Sequence, residues 1–570
     1  MLLSAALLLL AGASTAHAVP DDFKFDLEGY YRTRAYLFAD GLLGSKKVGF
    51  YANQDGDARM MTQRLRLQPE LNFEDRAKFF MMADVLDDVV WGDNENLAST
   101  ALFAGDPSST GMDGTHQDTF RIKRAWMEFK VPVGLVRVGR QPSTWGMGLL
   151  ANAGDGFDDS FGENHYGSTY DRAIFATKPI AIAQTIAGKE PADIPLFLAI
   201  GVDRLVEDPL IQYYGYNCTT SNADGTPIVE GDANYDPRCD PGSVGYQTIQ
   251  HDYTADRTGD QRAASWAADQ KDDVWEMVYA LIYKGEGIEL GGSKADLTAG
   301  TYFVNRKQKE TASNILIADA YLKFLWRGIY LEAEGLTIQG PTYAISLPGA
   351  LNADESGVLD PVTNLDKALY KQANIWGYVA RAGYKRESYS LIMEHGYASG
   401  DDNPADAKFT GRPLHPDYNV GLLIYEEVLA YVTAATWTDS ASGLWSQGGV
   451  YNSRYIFPQA TWKPMDNWEL TGAWLMAWPD KPDGSRILCA KGDKVQCASY
   501  SATAKSLGWE ADLALKHRFH EHVLFSLESG YAHTTDRLPY ESVGLAHSTN
   551  KDGRPVGNFY TLQSRIAYEF

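Results

Sequence analysis

Beyond its first dozen residues, the 570-residue sequence has no apolar run approaching the 18–20 residues of a membrane-spanning helix. That excludes a helical membrane anchor in the mature chain. It leaves a β-barrel open, because barrel strands alternate and average to mild polarity. Cations are scarce: 51 Lys and Arg against 74 Asp and Glu leave a net charge of −23, which argues against nucleic acid or anionic lipid as the partner. Cysteine is rarer still. Cys218 and Cys239 share one polar stretch and Cys489 and Cys497 another, a spacing that suggests two disulfides in an oxidising compartment. Metal binding by these thiols would be the rival reading, but no Cys-x-x-Cys or neighbouring His pair supports it. No Cys-x-x-Cys-His attaches a haem, and no Gly-x-Ser-x-Gly or similar catalytic motif surrounds His165, His251, His395, His415 or His533.

What the sequence has is alternation. In the stretch 557–570, Tyr560, Leu562, Ile566, Tyr568 and Phe570 fall on one side and Thr561, Gln563, Arg565 and Glu569 on the other. This period of two describes a strand with an oily and a wet face. The pattern recurs about eighteen times: 23–38, 62–74, 77–87, 119–131, 134–141, 168–178, 195–206, 273–284, 295–306, 313–326, 329–339, 372–384, 387–397, 450–463, 467–478, 506–518, 522–534 and 556–570. Short connectors such as Pro132-Val133 and Arg327-Gly328 alternate with long ones such as 207–272 and 398–449. Both cysteine pairs fall in long ones. Short turns on one rim and long loops on the other describe a transmembrane antiparallel β-barrel of the bacterial outer membrane, all-β and a single domain over 19–570. An even count puts both termini on the periplasmic side. Two connectors depart from the rule, 179–194 being long where a turn is due and 307–312 short where a loop is due. Ahead of the domain, the apolar run Leu2–Gly12 and the small-x-small Ala16-His17-Ala18 read as a signal peptide over 1–18, although no Lys or Arg precedes the run.

Aromatics gather near strand ends (Tyr30, Tyr31, Trp126, Trp326, Trp376, Trp474, Trp509), as a membrane girdle requires. Eighteen strands enclose a lumen too wide for side chains alone to fill. The wet faces of the early strands are unusually basic: Arg32, Arg34, Arg64, Arg66, then Lys123 or Arg124, and Arg137 or Arg140, the phase of the last two pairs being ambiguous. Such a wall selects anions and offers forks for carboxylate or phosphate. Alternatively, it pairs across strands with Glu28, Glu70, Glu74 and Glu128 for stability alone.

Val138-Gly139-Arg140-Gln141, Trp145-Gly146 and Tyr170-Asp171-Arg172 resemble the Gly-Arg-Gln, aromatic-Gly and Phe-Asp pattern of the alginate-export outer-membrane porin family. Tyr397–Pro404 with Phe409 and His415-Pro416-Asp417-Tyr418 resembles its Gly-Asp-rich loop, and Gly508-Trp509-Glu510 its C-terminal end. The resemblance implies an eighteen-stranded monomeric porin with an arginine-rich pore for an anionic polysaccharide, and it carries Arg140 and Asp171 over as pore residues. The expected pore set is therefore Arg32, Arg34, Arg64, Arg66, Arg124, Arg140, Asp171 and Arg172.

No cofactor is implied. The acidic stretches Asp155–Asp159 and Asp401–Asp406 offer oxygen ligands for Ca²⁺ without the spacing of an EF-hand, and solvated loop charge is the plainer account. Expected partners are outer-membrane lipid, small polar or anionic solutes, and an assembly machinery that reads the terminal Phe570. Nucleic acid is not among them. A sheath around an electron-carrying partner and an outer-membrane enzyme are the competing readings.

Overall fold

The computed structural model describes residues 23–39, 58–74, 76–91, 120–157, 159–164, 167–207, 274–308, 313–342, 371–401, 408–430, 446, 448–481, 506–534 and 558–570. The signal-peptide stretch and all four cysteines lie outside the described residues.

Eighteen long strands run in chain order as the staves of one sheet. They are β1 (Phe23–Ala39), β2 (Ala58–Phe73), β3 (Ala77–Val90), β4 (Phe120–Val131), β5 (Gly134–Pro142), β6 (Thr169–Thr177), β7 (Leu196–Glu207), β8 (Trp275–Leu290) and β9 (Ser293–Gln308). The second half comprises β10 (Ser313–Trp326), β11 (Ile329–Thr342), β12 (Lys371–Lys385), β13 (Tyr389–Ala398), β14 (Ser453–Met465), β15 (Trp468–Pro479), β16 (Gly508–Phe519), β17 (Val523–Thr534) and β18 (Asn558–Glu569). Each stave pairs antiparallel with its sequence neighbours, and β1 pairs with β18 from Tyr30↔Glu569 to Ala39↔Tyr560. Two reciprocal bonds between Gly29 and Phe570, both 3.0 Å, extend that seam. The sheet is closed and has no free edge.

Alternation explains the shape. The outer face carries exposed apolar side chains, among them Phe25, Leu27, Met127, Leu391 and Ile566. An apolar band of this extent would be a liability in water and is what a bilayer requires. Tight turns close one rim. Arg327-Gly328 and Gly291-Gly292 each place two successive residues at positive φ (52° and 89°; 57° and 73°), the turn whose twist matches a hairpin.

The long connector 179–194 hides no strand pair: it holds a short helix, α1 (Pro179–Ile186), with proline at its start. Between β9 and β10 only residues 309–312 intervene, and these lie outside the described residues. One further two-residue bridge, Lys408–Phe409, pairs parallel with Gln372 and Ala373. It covers the stretch of β12 beyond Gly377, where β13 has ended at Ala398.

Candidate functional site: a loop-filled lumen with a cationic wall

Two sets of described residues fold into the barrel, 143–157, 159–164 and 167–168 after β5, and 408–430, 446 and 448–452 after β13. On the β8–β15 side, apolar side chains stand among the inward positions: Val278, Val304, Ile317, Val379, Phe457 and Leu475 are each at most 2% exposed. They pack on Leu149, Leu150 and Phe161 of the first segment and on Leu414, Val420, Leu422–Tyr425, Val428 and Leu429 of the second. These apolar positions meet folded chain, not water.

Carboxylates on the staves anchor these segments through their backbone. Glu510 accepts hydrogen bonds from Leu422, Leu423 and Ile424 N–H at 2.5, 2.8 and 2.7 Å. Glu334 accepts from Met147 N–H and, at 3.3 Å, from Leu149 N–H. The Trp145 indole donates to Asp319 Oδ1 at 2.8 Å and stacks on Tyr302. Buried carboxylates satisfied by N–H groups are how a segment without regular structure can be held away from water.

The segments also latch to each other. Asn152 donates to the Asp417 carbonyl at 3.0 Å, and Gly167 N–H to Asp417 Oδ2 at 2.6 Å. Ser168 Oγ lies 3.0 Å from His415 Nε2, with Asp417 adjacent. This Ser-His-Asp grouping is not a nucleophile. The Asp417 N–H donates to His415 Nδ1 at 3.1 Å, so the ring proton resides on Nε2 and is given to Ser168. A general base needs the opposite tautomer. All three residues are buried.

The opposite wall is cationic. Arg32, Arg34, Arg64, Arg66, Arg124 and Arg565 are each at most 4% exposed, joined by Lys123 and Lys516. A bulge in the β3–β4 pairing between Met82 and Ala83 turns both Lys123 and Arg124 inward, which resolves their ambiguous phase. Arg32 and Arg34 both donate to Glu163, the latter at 2.7 Å. Arg66 grips Asp84 bidentately at 2.7 and 2.8 Å and reaches Asp155 at 3.3 Å. Arg124 holds the same Asp155 at 2.9 Å, and Arg565 donates to Glu528 at 3.2 Å. Arg64 reaches the Asn164 carbonyl at 3.5 Å. Lys516 donates to the Phe157 carbonyl at 3.0 Å.

The wall is therefore compensated mainly by the inward segment, not by the expected Glu28, Glu70, Glu74 and Glu128. Glu70 pairs with Lys78, Glu74 with Arg76 and Glu128 with Arg137. Among the described residues, eight cations face seven carboxylates, Asp84, Asp155, Asp159, Glu163, Glu426, Glu427 and Glu528. Burial pushes the Asp159 carboxyl up to about 6, and Glu427 on the second segment, facing Arg34, up to about 7. A cavity of about 410 Å³ opens beside the wall toward the short-turn rim, its lining including Arg66 and His522 and the carboxylates of Glu28, Asp155 and Glu569.

Three residues of the expected pore set need separate placement. Arg172 points inward on β6, bonded to Asp203 at 2.6 Å and to Ser143 at 3.2 Å, where the first segment leaves the wall. Arg140 and Asp171 do not line the pore. Arg140 stands opposite Ala125, which shares the outer face with Met127 and Phe129, and Asp171 stands opposite Arg140. Directly opposed residues share a face, so this pair, bidentate at 2.9 Å, faces outward near the stave ends, where headgroups tolerate charge. Arg137 is the lumen-facing member of its ambiguous pair. Of the acidic stretches, Asp155 serves Arg66 and Arg124 and Asp401 accepts from Thr410 N–H. Asp158 and 402–406 lie outside the described residues, and among the described residues no three ligating side chains converge on a metal position.

No protein-family model and no curated protein matches this sequence. Among solved structures, the chain is similar to Pseudomonas aeruginosa OccK11 (OpdR), with 9% identity, 96% of each chain covered and a TM-score of 0.43. It is similar also to P. aeruginosa OccK2 (OpdF), crystallised in complex with glucuronate, with 9% identity, 96% of each chain covered and a TM-score of 0.42. A BenF-like porin from Pseudomonas fluorescens Pf-5 shows 9% identity over 96% of this chain and 98% of that one, with a TM-score of 0.43. The barrel is established by its own strand pairing.

Proposed function

We propose that the protein is an outer-membrane channel for passive diffusion of small polar solutes, with a preference for anions. The observation that carries the reading is the concentration of cations on one inner wall of a closed, lipid-compatible barrel, with Arg66 at the edge of the 410 Å³ cavity. A solute carboxylate passing Arg66 and Arg124 meets forks already aligned by Asp84 and Asp155, which serves as a stand-in for such a group. The reading is of a conduit, not an enzyme. The Ser168–His415–Asp417 grouping acts as a latch.

Kinship with alginate-export-like porins remains part of this proposal, supported by the Gly139-Arg140-Gln141 and Tyr170-Asp171-Arg172 motifs. The outer-face position of Arg140 and Asp171 assigns that motif to the barrel wall, not to cargo.

Planar bilayers under a salt gradient test the reading. The full-length protein should give a reversal potential of the anion-selective sign, and Arg66→Ala should move it toward zero. A cation-selective pore unchanged by Arg66→Ala would refute the anion preference. Absence of conductance would favour the sheath.

A further inference from the structure

The residues displaced from the pore define a second feature. One hydrogen-bonded row crosses five staves on the outer face: Arg140 on β5, Asp171 on β6, Arg204 on β7, Trp275 on β8 and Lys307 on β9. Their neighbours on the same face fix the orientation. Val138, Val202, Tyr279 and Phe303 are exposed apolar side chains of the outer band one or two steps nearer the membrane centre. The row sits at the stave ends on the rim opposite the tight turns, where the apolar band stops. Among the described residues the row holds three cations and one carboxylate, in a chain whose overall charge is −23. Across the barrel, the matching ends of β12–β16 present Trp376, Tyr397, Trp478 and Trp509, with Arg454 on β14. One face of the rim is cationic and the other aromatic.

We infer that this row docks the phosphates of an outer-leaflet glycolipid. The cations fall on alternate staves. With strands 4.7–4.9 Å apart, Arg140, Arg204 and Lys307 recur at roughly 10 Å intervals along the rim. Asp171 orients Arg140 through both carboxylate oxygens, and Trp275 supplies the amphipathic ring favoured at headgroup depth. A ligand with more than one phosphate on a single headgroup would bridge two cations while its acyl chains lie on Val202, Ile200 and Phe303 below. The net charge, read alone, argues against an anionic lipid partner; the register concentrates cations where such a lipid's headgroup lies. The inference rests on the outer-membrane reading and not on conduction.

The test uses the full-length protein in detergent, titrated with bis-phosphorylated lipid A and with its dephosphorylated counterpart, bound lipid being read by native mass spectrometry. Wild type should retain the phosphorylated form at least tenfold better. The double variant Arg204→Gln/Lys307→Gln should lose that preference while keeping its heat-modifiable mobility and bilayer conductance, and Arg454→Gln should keep it. Equal retention of both lipids by wild type would overturn the inference. An equal loss in Arg454→Gln would overturn it too, as would a protein dimer abolished by the double variant, which would assign the face to a second copy of the chain. A barrel that fails to conduct but shows the phosphate preference would refute the channel and leave this inference standing.

Discussion

Glu163→Gln offers the sharpest perturbation of the lumen. Glu163 accepts from Arg32 and Arg34, stands 3.9 Å from Arg565, and is the principal carboxylate by which the first inward segment holds the cationic wall. Gln is isosteric and keeps one acceptor, so the change removes charge while sparing shape. Charge-assisted bonds are roughly twice as strong as neutral ones, and breaking one partner of a buried ion pair costs about 3–5 kcal/mol. With two such bonds weakened and not abolished, the lower end, about 3 kcal/mol, is the expected loss. At about 1.4 kcal/mol per tenfold, the balance between docked and released segment shifts by roughly a hundredfold. The global fold, held by eighteen paired staves, should persist. Single-channel recording should show higher or more frequently fluctuating conductance and a stronger anion preference, since the wall gains one net positive charge. Unchanged conductance together with unchanged selectivity would refute the account of Glu163 as the clamp.

Three further outcomes follow from the same geometry. Acidification from pH 8 to pH 5 should strengthen anion selectivity, measured as reversal potential, because Asp159 near 6 and Glu427 near 7 become neutral on that path. Both carboxyls are raised above their unfolded values, so the same protonation favours the fold. Stability should increase as pH falls through this window and decrease as it rises, the inverse of a salt-bridged carboxylate. Arg140→Ala should leave reversal potential unaltered, in contrast to Arg66→Ala, since it removes a side chain from the outer face. Phe570→Ala strips the ring that lies over Gly29, where an added Cβ would meet it at 3.0 Å. Recovery of heat-modifiable protein should drop, while channels that do assemble conduct normally.

Most staves were legible because alternation is a local property. The expected and observed boundaries of β10 coincide, and those of β5 and β17 differ by a single residue. The last turn of β8 was hidden by the irregularity at Gly285–Ile288, which breaks the period before Leu290. The inward segments were not legible as such. Their contacts join distant positions, Ser168 to His415 and Trp145 to Asp319, and carry no period. One trace did exist. Around Ile315, Leu316, Ile317 and Ala318 both phases of β10 are apolar, the mark of a strand covered on both faces and not of one lining water. Arg140 was misplaced because side-chain type cannot decide a face near a rim, where lipid headgroups and lumen both accept charge. Only register settles it.

The seam between β1 and β18 joins residues 521 to 539 positions apart. Every other pairing along the sheet joins consecutive staves, so seventeen of the eighteen contacts are available as the chain is laid down and one is not. Until β18 arrives, β1 is an open template, able to pair with any extended strand nearby. Closure is therefore a late, all-or-none event with a large loop entropy behind it. Truncation anywhere before Asn558 should yield not a smaller channel but a sheet with two sticky margins.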